Sequence, residues 1–437
     1  MIMGSDKKKL MKIANFFAIL LVFGLLTGAA AAARVYLDIT SPDFRKVPVA
    51  VPYFVNKAGS RQVRESDMAM ADLLARGLTF HGFIAVPAAD SYGGRQDIKW
   101  RDLGVDFAVL GRYEAEDTNI VLELQLLDVN EDRTVFGRRY KGPWQIKEKM
   151  ILKFCDEVIM QLTGEAGVSR SRIAFVSDKS GYKEIYLADV LGEEVQQVTR
   201  HQNLAVSPRF SPDGGLLAYT SYHRGNPNLY VTNLAQSQTT RALSRRKGLN
   251  LAPAWAPDGK TMAITLSKDG NPDLYLMNSS GEILKQLTKN AGINVSPSWS
   301  PDGRQLVFVS DRSGTPQLYV MDMKTRSVNR ITFKGSDNSE PNWSPKGDWI
   351  TYSGLAEGNY HIFIIRPEGG QAVQLTTDRS NHESPSWSPD GRQIVFARHR
   401  DQDRQICAIY KNGSGLRPLF REKGRQTSPQ WSPRESK

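Results

Sequence analysis

Reactive side chains are sparse in this 437-residue chain, and none is spaced for catalysis. The six histidines, His81, His201, His223, His361, His382 and His399, have no second ligand at a metal-binding step such as that of HExxH. Each reads as a solvated loop residue. No GxSxG stretch supplies a nucleophile elbow. No catalytic residue, metal ligand or cofactor is therefore assigned. Cys155 and Cys407 stand far apart in different parts of the chain and read as small buried apolar residues.

Residues suited to recognition are better represented. A proline recurs at 208, 253, 297, 341, 385 and 429, and three residues before it stand Ala205, Asn250, Asn294, Asn338, His382 and Gln426. Five of these six can hydrogen-bond, and Glu340 and Glu383 lie beside them. Such a set suits a polar mouth that takes a peptide or a domain in fixed orientation. Asparagine also simply favours loops. The residues alone leave both readings open.

The elements that must carry these residues follow from a repeat. The segments SPRFSPDG at Ser207, APAWAPDG at Ala252, SPSWSPDG at Ser296, EPNWSPKG at Glu340, SPSWSPDG at Ser384 and SPQWSPRE at Ser428 recur with spacings of 45, 44, 44, 44 and 44. That is the period of a four-stranded propeller blade. Three more columns keep the phase: apolar runs such as LVFVS at Leu306, runs such as QLYVMD around Tyr319, and pairs such as IT at Ile331. In the PDG step, proline presets a turn, aspartate bonds its own backbone and glycine accepts positive φ. Phe210, Trp255, Trp299, Trp343, Trp387 and Trp431 each precede such a step and are expected to pack between neighbouring blades as core. The expected fold is a small α/β domain followed by an all-β six-bladed β-propeller over 172–437. The ring is closed by pairing residues 428–433 with 173–177 of the first blade, which removes two open sheet edges.

Residues 34–165 lack the repeat and alternate strand and helix signals. Strands are expected at 35–39, 48–55, 83–87, 106–114, 120–128 and 134–140. Helices are expected at 66–78, capped by Ser66 or Asp67, and at 143–162. Residues 1–33 read as a cleaved secretory signal: Lys7, Lys8, Lys9 and Lys12, an apolar run over 13–26, then the alanine tract 29–33. Export to the periplasm is expected, with no stable membrane insertion afterwards. The net charge of +11 falls to about +8 without that segment, and no five basic residues are consecutive, so nucleic acid is not an expected partner.

Taken together, GVDFAVLGRY and LELQLLDVNEDRTVFGRRY in the N-terminal module, CDEVIMQLTGEAGVSRSRIAFVSD at the junction and the six SPxWSPDG segments resemble the TolB family of the Tol-Pal envelope system over essentially the whole chain. The resemblance implies a non-enzymatic periplasmic scaffold that supports outer-membrane integrity and cell division. It implies binding of the peptidoglycan-associated lipoprotein (Pal) at the channel mouth, through Leu249, Asn250, Asn294, Val295, Asn338 and His382, with Glu340 and Glu383 adjoining. It also implies binding of TolA through the segment 34–43, where Arg34 precedes the alternating Val35, Leu37 and Ile39. The alternatives are a periplasmic propeller enzyme, a lyase or hydrolase, and a sugar- or peptide-binding receptor.

Overall fold

The computed structural model describes residues 45–58, 63–235, 239–420 and 422–435. The leader at 1–33 and the segment carrying Arg34, Val35, Leu37 and Ile39 lie outside the described residues. The N-terminal domain runs β1 (Val47–Ala50), β2 (Val55–Asn56), α1 (Glu65–Thr79), β3 (Ile84–Ala85), β4 (Phe107–Glu116), β5 (Asn119–Asp128), β6 (Arg133–Pro143) and α2 (Lys147–Thr163). Its sheet has the order β3-β1-β4-β5-β6, with β2 also against β4. Met70, Leu74 and Leu78 of α1 and Ile151, Phe154 and Val158 of α2 recur at helical spacing and are buried together with Val109, Leu122 and Leu124 of the sheet.

Local chemistry accounts for the departures from the expected elements. The strand expected over 48–55 is divided into β1 and β2 around Pro52, which has no N–H to give a ladder. The last helix begins at Lys147 because β6 runs on to Pro143 and a 3-10 turn, Trp144–Ile146, follows it. The cap of α1 is Arg64, and Asp67 reaches back from inside the helix to accept the Arg64 N–H at 2.8 Å.

A buried polar joint fixes the chain between the domains. His81 is 3% exposed; its Nδ1 donates to the Gly77 carbonyl at 2.9 Å and its Nε2 accepts the Val168 N–H at 3.0 Å. That pairing needs the neutral ring, and burial pushes the His81 pKa down. Asp156 accepts the Ser169 N–H at 2.7 Å and Arg170 Nε at 3.1 Å. A Cβ on Gly167 would stand 2.5 Å from Asp156 Oδ1 and 2.8 Å from His81 Nε2, so only glycine fits between them.

Beyond the joint, the described residues form six four-stranded antiparallel sheets, five spanning 205–244, 250–286, 294–330, 338–374 and 381–418. The sixth takes its inner strand, Gln426–Trp431, from one end of the repeat and its other three, Arg172–Ser177, Glu184–Asp189 and Val195–Gln197, from the other. Gln426 opposes Ser177 and Trp431 opposes Ile173. The hairpin turns keep the expected chemistry: Gly303 has φ +70° and donates its N–H to Ser300 at 2.9 Å, while Asp302 accepts the Arg304 N–H at 3.0 Å.

Alternate residues of one strand face different neighbours. Leu217 and Tyr219 pack with Ala174, Val176 and Tyr230, whereas Ala218 between them packs with Trp255 and Met262 of the following blade. Trp343 lies among Val307, Val309 and Ile331 of one blade and Ile350 and Tyr352 of the next. Trp387 and Trp431 repeat the arrangement. Replacing Trp343 by alanine opens this seam and is expected to lower stability by roughly 3–5 kcal/mol. Equilibrium urea unfolding measures it, and a loss within error of zero contradicts the packing role.

Candidate functional site

Each inner strand enters the channel through a distortion common to all six blades. The residue before each repeat proline is left-handed: Ser207, Ala252, Ser296, Glu340, Ser384 and Ser428 have φ between +49° and +56°. The strand register shifts at the same place in every blade. A left-handed residue with a side chain costs on the order of 1–2 kcal/mol, so this bulge is held by its surroundings. Its effect is to turn Glu340, Ser384 and Ser428 into the channel, where they line a cavity of about 380 Å³.

That cavity is polar and carries both signs of charge. Lys183, Tyr360, Glu383, His399 and Arg404 complete its wall. Glu340 joins two blades: its carboxylate accepts Ser353 Oγ at 3.0 Å, and the Ser384 N–H and Oγ at 2.6 and 2.7 Å. His399 Nδ1 stands 3.0 Å from Glu383 Oε2, and that hydrogen bond, with the charges of His399 and Arg404, holds the Glu383 carboxyl below its usual range. Tyr360 donates to Asp337 Oδ2 at 2.9 Å, and burial with that partner pushes the phenol up to about 12. Around the same end of the ring, in the links between one blade's last strand and the next blade's first, Leu249 is half-buried and Ile293 and Phe333 are 44% and 71% exposed, while Val295, second in its inner strand, is half-buried.

The hydrogen-bonding residues expected to face a partner have a different place, and that expectation is corrected. Asn250, Asn294, Asn338 and His382 are 0%, 0%, 3% and 0% exposed. Each opens an inner strand or stands one residue inside it. The three asparagine side chains satisfy the blade behind. Asn294 Nδ2 donates to Asp273 Oδ1 at 3.0 Å, which also accepts Thr288 Oγ1 at 2.7 Å, while Thr288 Oγ1 accepts the Leu274 N–H. Asn338, Gln317 and Thr332 repeat this clasp with bonds of 2.9 and 2.8 Å. Asn250 Nδ2 donates to the carbonyls of Pro227 and Arg246. In the blade after that of Asn338, His382 stacks on His361 at 5.7 Å, with its Nε2 3.4 Å from Asp378 Oδ1. These side chains position the links; Leu249, Val295, Glu340 and Glu383 are the expected site residues that reach the surface or the cavity.

Solvation of the histidines is corrected as well, since His81, His361 and His382 are all buried. Cys155 and Cys407 are buried free thiols, and burial pushes both pKa values up. Among the described residues no three His, Cys, Asp or Glu side chains are grouped to hold a metal, and no helix is long and apolar enough to cross a membrane. Tyr360, His399 and Arg404 escape sequence reasoning because they stand on the second and third strands of their blades just outside the apolar runs that carry the period.

Comparison with known proteins places this arrangement. Residues 159–435 match the model of the TolB beta propeller domain, and residues 35–135 match that of the TolB amino-terminal domain. The Tol-Pal system protein TolB of Desulfotalea psychrophila is 48% identical over 216 residues, 49% of this chain and 49% of that protein. That of Desulfosudis oleivorans is 38% identical over 216 residues, 47% and 49% of the respective chains. The chain thus spans about half the length of the curated relatives it matches. The crystal structure of TolB from Acinetobacter baumannii superposes with a TM-score of 0.78 at 26% identity, covering 90% of this chain and 98% of that one.

Burial depresses the His382 pKa from 6.5 to about 4, so folding requires the neutral ring. The associated stability is fully present above pH 6.5 and is lost as pH falls toward 4. His382→Asn supplies the residue type that three other blades carry. Its unfolding midpoint should fall less steeply than that of the wild type through this window, with a constant difference above it. Parallel curves across the window would refute the buried neutral state.

Proposed function

This chain belongs to the TolB family, and from that premise we propose that it is a non-enzymatic periplasmic scaffold whose channel mouth docks the peptidoglycan-associated lipoprotein. The observation that carries the reading is the mouth itself: a polar cavity holding Glu340, Glu383, His399 and Arg404, with exposed Ile293 and Phe333 in the links around it. A charged centre with apolar residues about it suits a protein surface, because the charges orient the partner and the apolar groups supply burial. Leu249, Val295, Glu340 and Glu383 are assigned to contact. Asn250, Asn294, Asn338 and His382 are assigned to holding the links in place beneath it. The segment with Arg34, Val35, Leu37 and Ile39 is assigned to TolA, as an added strand on that partner's sheet edge. The envelope role follows from joining the two partners.

Immobilised periplasmic domain of the lipoprotein should retain the purified protein. A Val295→Glu, Phe333→Glu variant should lose that retention by about tenfold or more while melting like the wild type. No retention of the wild type, or equal retention of the variant, overturns the docking site. Removal of residues 34–43 should abolish capture by TolA and leave capture by the lipoprotein intact; unchanged TolA capture removes that assignment.

A further inference from the structure

The opposite end of the channel, where the PDG hairpins turn, has a chemistry that docking at the mouth does not use. It opens into a cavity of about 530 Å³ walled by the repeat prolines and tryptophans. Its lining contains Arg209 and Arg434 and no aspartate or glutamate.

Arg209 is out of pattern. The residue between proline and aromatic is Ala254, Ser298, Asn342, Ser386 and Gln430 in the other repeats. In three blades this side chain accepts the backbone N–H of the next blade's tryptophan: Ser298 that of Trp343 at 3.0 Å, Asn342 that of Trp387 at 2.9 Å and Ser386 that of Trp431 at 3.1 Å. A guanidinium has no acceptor and cannot make that bond. Arg209 instead donates to the carbonyl of its own neighbour, Pro208, at 2.8 Å, and forms no ion pair among the described residues. Glu340 acts on it through space, but that carboxylate is hydrogen-bonded to Ser353 and Ser384. A cation placed where the repeat uses a small neutral acceptor, and only thinly partnered there, costs stability.

The neighbouring sector adds a second sign. Trp299, Trp343, Trp387 and Trp431 each donate their indole N–H to a protein oxygen. Trp255, in the blade after Arg209, is 8% exposed, lines the cavity and among the described residues has no partner for its Nε1. Arg434 Nε is buried and unpartnered as well. Two donors, Trp255 Nε1 and Arg434 Nε, thus lack acceptors here among the described residues, beside flat apolar walls.

We infer that this end of the channel binds a carboxylate carried on an apolar body, with Arg209 as the principal charge partner and the indole N–H of Trp255 as a second donor. A guanidinium pairs a carboxylate through two parallel N–H bonds, and the cavity volume is that of a small-ligand site. The same chemistry is presented by a free aromatic acid and by the C-terminus of a peptide ending in an apolar residue. The site is separate from the mouth and does not depend on docking there.

The wall tryptophans provide the readout. Phenylacetate titrated into the intact protein should change tryptophan emission saturably, and phenylacetamide, the same ring without the charge, should not. Arg209→Gln should weaken phenylacetate by more than about tenfold, with Arg209→Lys between it and the wild type. Gln430→Glu, which sets a carboxylate into the same wall, should weaken it too, and serves if Arg209→Gln does not fold. A tetrapeptide ending in phenylalanine, with its carboxylate free or amidated, separates the sources: tighter binding of the free form than of phenylacetate assigns a chain terminus, and weaker binding assigns a free acid. An equal response to phenylacetate and its amide, no saturable response to any of these acids, or wild-type affinity in every variant that folds overturns the site. Retention by the lipoprotein should be unchanged in Arg209→Gln, so failure here and failure at the mouth are read separately.

Discussion

A blade of this protein has two apolar faces and can cover neither. Leu217 and Tyr219 point to one neighbour and Ala218 to the other, and all three are fully buried. Burial at both faces is worth about 25 cal/mol per Å² only when every blade has a neighbour on each side. The requirement propagates around the ring, which is why the sheet beginning at Arg172 pairs with Gln426–Trp431 and why Trp431 sits among Val395, Ile406 and Phe175 from two adjoining sheets. The N-terminal domain uses the same seam, with Phe80 packed edge-on against Trp431 at 6.1 Å.

Ring packing leaves the strand ends with polar groups that neither neighbour covers, and the molecule solves this differently at its two ends. At the mouth, a threonine closes each of several blades by accepting a third-strand N–H, and an asparagine of the next blade completes the network through Asp273 or Gln317. Satisfied networks of this kind hold backbone in place, because an unpaired buried donor or acceptor costs about 1–3 kcal/mol. The link residues can then vary on the surface without moving. At the hairpin end, aspartate and glycine complete the turns locally, and the inner wall is left to proline, tryptophan and whatever stands between them.

Much of this was legible in the residues. The period of 44, the turn chemistry and the interblade place of the aromatics are local or periodic signals, and the structure carries all of them. The asparagines were legible as hydrogen-bonding groups at a fixed place, but not as buried ones. A column of polar residues looks the same whether it serves a partner or a neighbouring blade, because its partners Asp273 and Gln317 lie about half a repeat away in sequence. Tyr360, His399 and Arg404 left no periodic trace: Tyr360 and Arg404 share a column that holds proline at 227, 272 and 316, and the column of His399 changes from blade to blade.

By itself the sequence determined that the chain forms a ring of like units and where each unit turns, because turn residues and a strict period act over short distances. Tertiary structure alone decided which side chains face the channel. The left-handed residue before each proline rotates Glu340 inward, while the residue two places earlier, Asn338, is drawn between blades. That choice depends on which unpaired groups the adjoining blade presents, and it exists only once the blades are packed.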